Sequence, residues 1–389
     1  MSNHQVTMIG SAELQVIQAT LRLDEGRDAS IRETASKQLD WHKVQSLAQH
    51  HGVSPLVYKR LKEVAPDLVP LTTMQEMAAF QKANELRVIQ MTADLIRVVR
   101  VLEAENIPVL CLKGPVLAQV LYGDPAMRLF GDLDILVKQR DFFRAVNILQ
   151  NMGAIKTYPE RSDDVYRHEN LIIGHSHMEV HREVTVREFP MSLEIEGLFA
   201  RRRDIVLNKQ TLHTLSFEDT IIHTGLHGTQ HRLVKLRYLT DLAYAMRAVD
   251  SERWELLLEN AHRQELYHPL LVGIGLCWYL FGLPLPANIQ RIIKQDAYSR
   301  WTIRFVYTSL KQAGDARSEF FDRLVFKLII AKNHRFDEII YLLGNLLSPT
   351  TQDYQWINLP RCLRWLYPVL RPLRQVKLGI ATIIARNRK

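Results

Sequence analysis

The sequence predicts an α+β protein in which a small mixed sheet, packed with helices, lies between N- and C-terminal helical regions. Three observations predict this order. Apolar residues recur at helical spacing up to about residue 105, short apolar runs punctuated by glycine follow, and helical spacing returns from residue 216. With 389 residues, 47% of them hydrophobic and 24% charged, the chain can bury a large core and is not expected to be disordered.

Residues 1–105 are predicted to be helical throughout. The run WHKVQSLAQHHGVSPLVYKRLKEV has helical spacing with a break at Gly52 and Pro55. The next run spaces its apolar residues by three and four, which predicts one face of a long amphipathic helix: Leu86, Ile89, Ala93, Ile96, Val99 and Leu102. A packing role is the expectation for this region.

Residues 106–215 are predicted to form the α/β core. PVLCLK is a strand, Gly114-Pro115 begins a short helix that Gly123 ends, and DLDILV is a second strand. An amphipathic helix follows, with Gly153 just past its end. HSHMEVHREV alternates polar and apolar residues, as a half-buried strand does.

Residues 216–347 return to helical spacing, and one segment of this region raises the question of a membrane span. The stretch from Tyr267 to Gln290 contains no charged residue, but Gly282 and two prolines after it interrupt the helix. The uninterrupted part is shorter than the roughly 20 residues that cross a bilayer. We therefore expect a buried core helix.

Residues 348–389 are predicted to be a loop followed by a basic amphipathic tail. From Arg361 to Lys389 the tail carries eight lysines or arginines and no acid, and the rest of the chain is formally neutral. Because the residues before the tail have no net charge, we do not expect the protein to bind nucleic acid along an extended surface. Three roles for the tail stay open: packing on the body, contact with an anionic membrane surface, and docking of an acidic substrate or carrier.

The cysteines and the N-terminus bear on the compartment. Cys111, Cys277 and Cys362 form no CxxC pair, which favours neither a disulfide framework nor a cysteine zinc site. The first residues show no basic stretch followed by an apolar one. We expect a cytoplasmic protein, placed peripherally at the membrane if the tail binds lipid.

Asp132 and Asp134 are the strongest signal of chemistry. In a strand they project from one face, while Leu133 and Ile135 point the other way into a core. Neighbouring carboxylates repel each other unless one is protonated or a cation lies between them. Magnesium, held by one or two carboxylates and by substrate phosphates, is the expected solution. Glu179, on the later strand, would be the third carboxylate if the two strands are neighbours.

The same unit offers groups for a triphosphate. Gly114 begins a helix after a strand, so its backbone N–H groups can face an anion. Lys113 and Arg128 are cations that could neutralise phosphate. His181 shares a strand face with Glu179 and is a further candidate contact. Because DxD alone occurs often in surface turns, a charge-rich sheet edge without chemistry remains the alternative.

Histidines recur at every fourth position from 223 to 231. His223, His227 and His231 form a stripe on one helix face, and Arg232 lies next to them. We expect this stripe to line an active-site wall or to contact phosphate; transition-metal binding is the less favoured alternative. Asp241 is expected to pair with Arg237 one helical turn away.

These residues together resemble a known family. Leu112-Lys113-Gly114, Leu121-Tyr122, Arg128 and the run from Gly131 to Val137, with HMEVH downstream, are similar to the uncharacterised nucleotidyltransferase family of bacterial biosynthetic clusters, a branch of the polymerase-β-like superfamily. Stretches on both sides of this core are also similar, so the resemblance covers most of the chain. Two features depart from the superfamily: Lys113-Gly114-Pro115 stands where Gly-Ser is usual, and the gap from Gly114 to Asp132 is longer.

The resemblance implies a small mixed nucleotidyltransferase sheet and two Mg²⁺ ions held by Asp132, Asp134 and Glu179. It implies transfer of an NMP from an NTP such as ATP to a hydroxyl, phosphate or similar group of a small-molecule, peptide or glycan acceptor. Lys113, Gly114, Arg128, His181, His227 and Arg232 are the expected nucleotide contacts. A catalytically inactive scaffold that binds nucleotide or a partner is the alternative, which the missing Gly-Ser favours.

Overall fold

The computed structural model describes residues 6–158, 167–184, 193–311, 356–357 and 359–374. Contacts divide the chain into two compact units, Met1–Val186 with Met191–Glu319, and Arg187–Pro190 with Phe320–Lys389. All the secondary structure up to residue 311 belongs to the first unit. The helical region expected over 312–347 lies outside the described residues.

Five helices precede the sheet: α1 (Ala12–Leu21), α2 (Arg27–Ala35), α3 (Trp41–His51), α4 (Ser54–Val64) and α5 (Leu71–Ala104). The ends of α3 follow from its sequence. The Asp40 carboxylate accepts a hydrogen bond from the Lys43 N–H at 3.1 Å. Gly52 ends the helix with a φ of 72°, a left-handed conformation that costs glycine little.

The buried face of α5 differs from the expected one. Leu86 and Ile89 are 58% and 60% exposed, so the prediction that they face the core is wrong. The side of the helix that is buried around them carries Gln81, Asn84 and Val88. Asn84 Nδ2 donates to the Ala126 carbonyl at 2.9 Å. Apolar periodicity does not register polar side chains, although in this helix they bind the segment around Ala126.

The core is one seven-stranded mixed sheet: β1 (Val109–Cys111), β2 (Asp132–Val137), β3 (Ile155–Lys156), β4 (His168–Ile173), β5 (Ser176–His181), β6 (Arg203–Leu207) and β7 (Gln210–Thr214). The strand order is β3-β4-β5-β2-β1-β7-β6. The β2–β5 and β1–β7 pairs are parallel and the others antiparallel. The predicted α+β class with a small mixed sheet is confirmed.

Among the described residues, three helices lie between these strands: α6 (Gly114–Tyr122), α7 (Phe142–Asn151) and α8 (Ile195–Ala200). Gly123 ends α6 with a φ of 73°, as the sequence predicts. One face of the sheet packs with α5 and α7 into a continuous apolar core that includes Leu95, Leu133 and Leu149. This core fixes β2, since its inward side chains have almost no exposed surface.

In the part of the first unit that the structure describes, six helices follow the sheet: α9 (Phe217–Gln230), α10 (Leu236–Met246), α11 (Arg253–Arg263), α12 (Tyr267–Phe281), α13 (Ala287–Gln295) and α14 (Ala297–Lys311). The charge-free α12 is largely buried and ends at Gly282, as the sequence predicts. Among the residues described, no helix has the length and apolar character that crossing a membrane requires.

The second unit is described only in part. Residues Arg361–Leu366 form a 3-10 helix, and residues 367–374 continue as a helix. Tyr367 is buried, and its hydroxyl accepts from the Leu359 N–H and donates to the Ile357 carbonyl, at 2.9 and 2.7 Å. Most of the predicted basic tail, residues 375–389, lies outside the described residues, and its role stays a prediction.

Candidate active site

The pairing of β2 with β5 brings the acidic residues together. The two strands are parallel, with Asp134 opposite Glu179 and Asp132 opposite His177. Paired residues of neighbouring strands project from the same face. On the other face, Leu133, Ile135 and Val137 have no exposed surface. The strand core therefore holds the carboxylates rigidly on the face away from the main apolar core.

Asp134 lies at the centre of a charged cluster. Its Oδ1 accepts from Lys113 Nζ at 2.6 Å and lies 3.0 Å from His181 Nε2. The same His181 nitrogen lies 3.2 Å from Glu179 Oε2. The side chain of Asp134 is completely buried, whereas that of Glu179 is 26% exposed. Two cations thus share two carboxylates, of which Asp134 is buried and Glu179 is partly exposed.

The protonation states follow from this arrangement. Burial opposes the charge of Asp134, but Lys113 and His181 more than offset it and lower its pKa. The same balance of burial against a hydrogen bond from His181 lowers the pKa of Glu179. Burial would lower the pKa of His181, yet Asp134 and Glu179 raise it to about 9. For Asp132, burial and the nearby Asp134 charge raise the pKa.

The site has the properties that a cation requires. Ligand atoms of Asp134, Glu179 and His181 all lie within 4.8 Å of one another. Asp134 Oδ2 is buried and has no hydrogen-bond partner, which is costly for a carboxylate oxygen unless a cation binds it. The carboxylate oxygens suit Mg²⁺ and Mn²⁺. His181, whose pKa is raised to about 9, could serve as a ligand only after losing its proton. Asp132 lies on the same face but outside this group of three.

A cavity of about 260 Å³ opens over the cluster. Its lining includes these residues: Lys113, Arg128, Phe130, Asp132, His168, Glu179, His181, His223, His227, Gln230, His231 and Arg237. Most of the predicted site residues are therefore gathered around one space, which is close to the size of a small-molecule site, about 300 Å³ and upward. Asp134 is buried beneath Lys113 and His181 and is not part of the lining. Arg232 is not part of it either, and Arg237 lies there instead.

Gly114 lies behind the cavity wall and not on it. Its φ of 62° is left-handed, and a Cβ there would lie 3.4 Å from Leu133 Cδ2 and 3.6 Å from the Asp132 carbonyl oxygen. This conformation turns the chain from β1 into α6 directly beside β2. The turn positions Lys113, which immediately precedes the helix, so that its side chain reaches Asp134.

Arg128 is held by a partner that the sequence did not reveal. Its Nε donates to Asp241 Oδ2 at 2.9 Å, and the Tyr122 hydroxyl donates to Asp241 Oδ1 at 2.7 Å. The predicted Asp241–Arg237 pair is therefore wrong, since Arg237 bonds to the Tyr238 hydroxyl instead. Local spacing could not show an acid 113 residues away from its partner in sequence. Asp241 and Tyr122 thus anchor a cation of the cavity wall.

The histidine stripe forms one side of the cavity. His223 and His227 lie on α9, and His231 follows its end and stacks on Tyr238 with ring centroids 4.9 Å apart. Burial and the positive charge of Lys113 lower the pKa of His223 to about 3. Partial desolvation and the same charge lower the pKa of His231 to about 4, although His231 is exposed at the cavity mouth. The same causes lower the pKa of His227. Neutral imidazoles are suited to hydrogen bonding with a substrate.

Comparison with known proteins supplies the family. Residues 37–282 match the sequence model of a family described as uncharacterised nucleotidyltransferase. A comparison with curated proteins found no match. Two solved structures of the antibiotic-resistance factor ANT(2″)-Ia are similar at 14% identity, one in solution and one a crystal structure in complex with adenylyl-2″-tobramycin. The solution structure aligns over 45% of this chain and 92% of its own, with a TM-score of 0.34; the crystal structure aligns over 46% and 97%, with a TM-score of 0.33.

Proposed function

The chain belongs to the uncharacterised nucleotidyltransferase family, and we propose that it transfers an NMP from an NTP to an acceptor in the cavity above Asp134. The observation that carries this proposal is the pairing of Asp134 with Glu179 on neighbouring parallel strands, beneath a cavity with cationic walls. Carboxylates that bind a metal ion and cations that bind phosphate are needed together for phosphoryl and nucleotidyl transfer.

Asp134 and Glu179 are the proposed ligands of a divalent cation, with Asp132 as a third carboxylate on the same face. The buried, unpartnered Oδ2 of Asp134 supports this assignment. When bound, the ion would neutralise the triphosphate and stabilise the charge that develops around the α-phosphorus. Lys113 and His181 contribute by keeping Asp134 ionised at neutral pH.

The cations of the wall are proposed to hold the triphosphate. Lys113 is 14% exposed at its side chain and lines the cavity, so its ammonium can contact a phosphate while remaining close to Asp134. Arg128 is fixed at its Nε by Asp241. These fixed charges would not need to reorganise as the reaction proceeds, which is the property that makes electrostatic stabilisation effective.

In the proposed reaction an acceptor oxygen attacks the α-phosphorus. The new bond joins that oxygen to the α-phosphorus, and the bond between the α-phosphorus and the bridging oxygen breaks, so that pyrophosphate leaves. Glu179 is the proposed base for the acceptor proton, because it is ionised and partly exposed to the cavity. His227 and His231, neutral at pH 7, would position the acceptor or the base of the nucleotide.

One observation favours a catalytically inactive relative instead. Lys113 and His181 already satisfy Asp134 Oδ1 at 2.6 and 3.0 Å, so part of the carboxylate charge is compensated without a metal ion. Such a protein would bind nucleotide or a partner without transferring a nucleotidyl group. The lack of Gly-Ser at Lys113-Gly114-Pro115 is consistent with this alternative.

Release of pyrophosphate distinguishes the two functions. Each of the four NTPs would be incubated with Mg²⁺ or Mn²⁺ and pooled sugars, sugar phosphates, peptides and nucleosides, and pyrophosphate measured by a coupled assay. We expect acceptor-dependent release by the wild type and at least a 100-fold lower rate for Asp134→Asn. Nucleotide binding without release from any pool, unchanged by Asp134→Asn, would support the inactive alternative.

A further inference from the structure

A second cavity lies beside the first and has a different character. Its volume is about 370 Å³, and it shares Phe130 and Arg237 with the cavity above Asp134. The rest of its lining comes from α3, α5 and the segments around Leu129 and Lys235. The two cavities are therefore neighbours, and Phe130 and Arg237 form the wall that they share.

The charge of this second cavity has a single sign. Arg87, Lys235 and Arg237 line it, and no carboxylate does. Within the described part of the chain, none of the three forms an ion pair with an acid. Three partly buried cations without a counter-ion are unfavourable, because each loses hydration and repels the others. Such an arrangement is typical of a site whose counter-ion is a ligand.

Two of these cations are held in place by neutral groups. Arg237 donates to the Tyr238 hydroxyl at 3.1 Å and lies over its ring at 4.8 Å, and its Nε is buried without a hydrogen-bond partner. Its aliphatic stem packs on Gly52, where a Cβ would stand 2.7 Å from Arg237 Cδ. Arg87 donates to the Phe130 carbonyl and to Asn84 Oδ1. The guanidinium groups are thus fixed while their charge remains uncompensated.

The positive charges of this group also act on one another. Burial and the charge of Arg237 lower the pKa of Lys235. Burial and the charge of Lys235 lower the pKa of His50. Both shifts would be relieved by an anion between these side chains. Phe80 and Phe130 add apolar surface to the same wall, which suits the carbon skeleton of a small molecule.

We propose that the second cavity binds an acidic group of the acceptor, a phosphate or a carboxylate, and that the acceptor is therefore an anionic small molecule. This inference rests on the proposed function, because it places the acceptor's hydroxyl at the shared wall, facing Asp132 and Glu179, the two carboxylates that line the first cavity. Phe130 and Arg237 would contact the acceptor between its two ends. A polycationic acceptor would be repelled by the same three charges.

The test uses Lys235, which lines only the second cavity. The full-length protein is first saturated with Mg²⁺ and an α,β-methylene analogue, chosen from the analogues of all four NTPs as the one that binds most tightly, in which the bond to the leaving group cannot be cleaved. Binding of inorganic phosphate and of glucose 6-phosphate, with glucose as the neutral match, is then measured by calorimetry and ligand-detected NMR. The variants are Lys235→Gln and Lys235→Arg, with Lys82→Gln as the control, because Lys82 is exposed on α5 and lines neither cavity.

We expect both phosphate probes, but not glucose, to bind the wild type and Lys82→Gln alike. Lys235→Gln should weaken their binding about tenfold, and Lys235→Arg should restore most of it, since one charge-assisted hydrogen bond is lost and regained. Equal binding to all variants, or no phosphate binding while the analogue binds, would overturn the inference but leave the proposed function standing. Weaker binding of the analogue to Lys235→Gln would also overturn it, and would assign the cations to the triphosphate. Failure of the analogue itself to bind would count against the proposed function and, with it, the inference.

Discussion

The substitution Asp241→Asn tests the buried pair that anchors the cavity wall. Asp241 and Arg128 are 3% and 4% exposed, and their side chains meet at 2.9 Å. Asparagine keeps the shape of the side chain but removes its charge. Arg128 would then be a buried cation without its carboxylate. A buried pair is weak evidence for net stability, but removal of one partner is costly.

Asp241→Asn is expected to lower the free energy of unfolding substantially. Breaking a buried ion pair by removing one member costs about 3–5 kcal/mol of the free energy of unfolding. Tyr122→Phe removes only the 2.7 Å hydrogen bond to the same carboxylate and should cost about 1.5–3 kcal/mol. The two changes share Asp241, so we expect their effects to be non-additive in the double variant.

Urea unfolding followed by tryptophan fluorescence measures both effects. Trp254 and Trp278 are 1% and 3% exposed in the first unit, so their emission reports loss of its core. Asp67→Asn is the matched control because Asp67 pairs with Arg32 at the surface, where the side chains are 57% and 49% exposed, and no measurable shift is expected. A loss below about 1 kcal/mol for Asp241→Asn would refute the reasoning, since it would mean that water compensates Arg128.

Two further outcomes are expected. Burial and the charges of His50 and Lys235 lower the pKa of His51 to about 4, below its ordinary value of 6.5. As the pH drops, the unfolded chain therefore binds a proton at His51 before the folded chain does, and the free energy of unfolding falls. His51 alone should contribute a loss of about 2 kcal/mol between about pH 6.5 and 5, seen in urea unfolding as a slope that His51→Gln reduces; an unchanged slope would contradict this. Gly114→Ala and Gly123→Ala should each cost about 1–2 kcal/mol, because both glycines have left-handed φ angles of 62° and 73°. Only Gly114→Ala should also weaken nucleotide binding measured by calorimetry. Equal binding by the two variants would show that the turn at Gly114 does not position the nucleotide site.

The local elements could be predicted from the sequence because their signals are local. DLDILV is an apolar strand whose two acids share one face, and it is β2 in the structure. The alternation of HMEVH gives β5, and glycines end helices at Gly52, Gly123 and Gly282. The position of Glu179 opposite Asp134 was a conditional expectation, since sequence does not state which strands are neighbours.

The parts that could not be predicted depend on distant residues. Asp241 pairs with Arg128, which is 113 positions away in sequence. Arg237, only four positions from Asp241, instead donates to the Tyr238 hydroxyl and lines both cavities. Leu86 and Ile89 are exposed because α5 turns Gln81 and Asn84 toward the loop near Ala126. Apolar periodicity does not count polar side chains that hold backbone carbonyls, so it assigned the wrong face.

The cluster around Asp134 could also be predicted only in part from the sequence. The sequence grouped Asp132, Asp134 and Glu179, and the structure brings Asp134, Glu179 and His181 within 4.8 Å. His181 joins this group because its ring turns toward both carboxylates, which depends on rotamers and burial. The second, cationic cavity had no sequence signal, since Arg87, Lys235 and Arg237 come from separate helices and a loop.

Calorimetric titration of nucleotide, with and without Mg²⁺, tests the central claim most directly. The four NTPs would be titrated into the wild type, Asp134→Asn and the surface control Asp67→Asn. We expect at least one NTP to bind the wild type and Asp67→Asn in a Mg²⁺-dependent manner, and binding to Asp134→Asn to be weakened at least 100-fold while that variant stays folded. Mg²⁺-independent binding, equal in all three proteins, would contradict the assignment of Asp134 as a ligand of the catalytic cation.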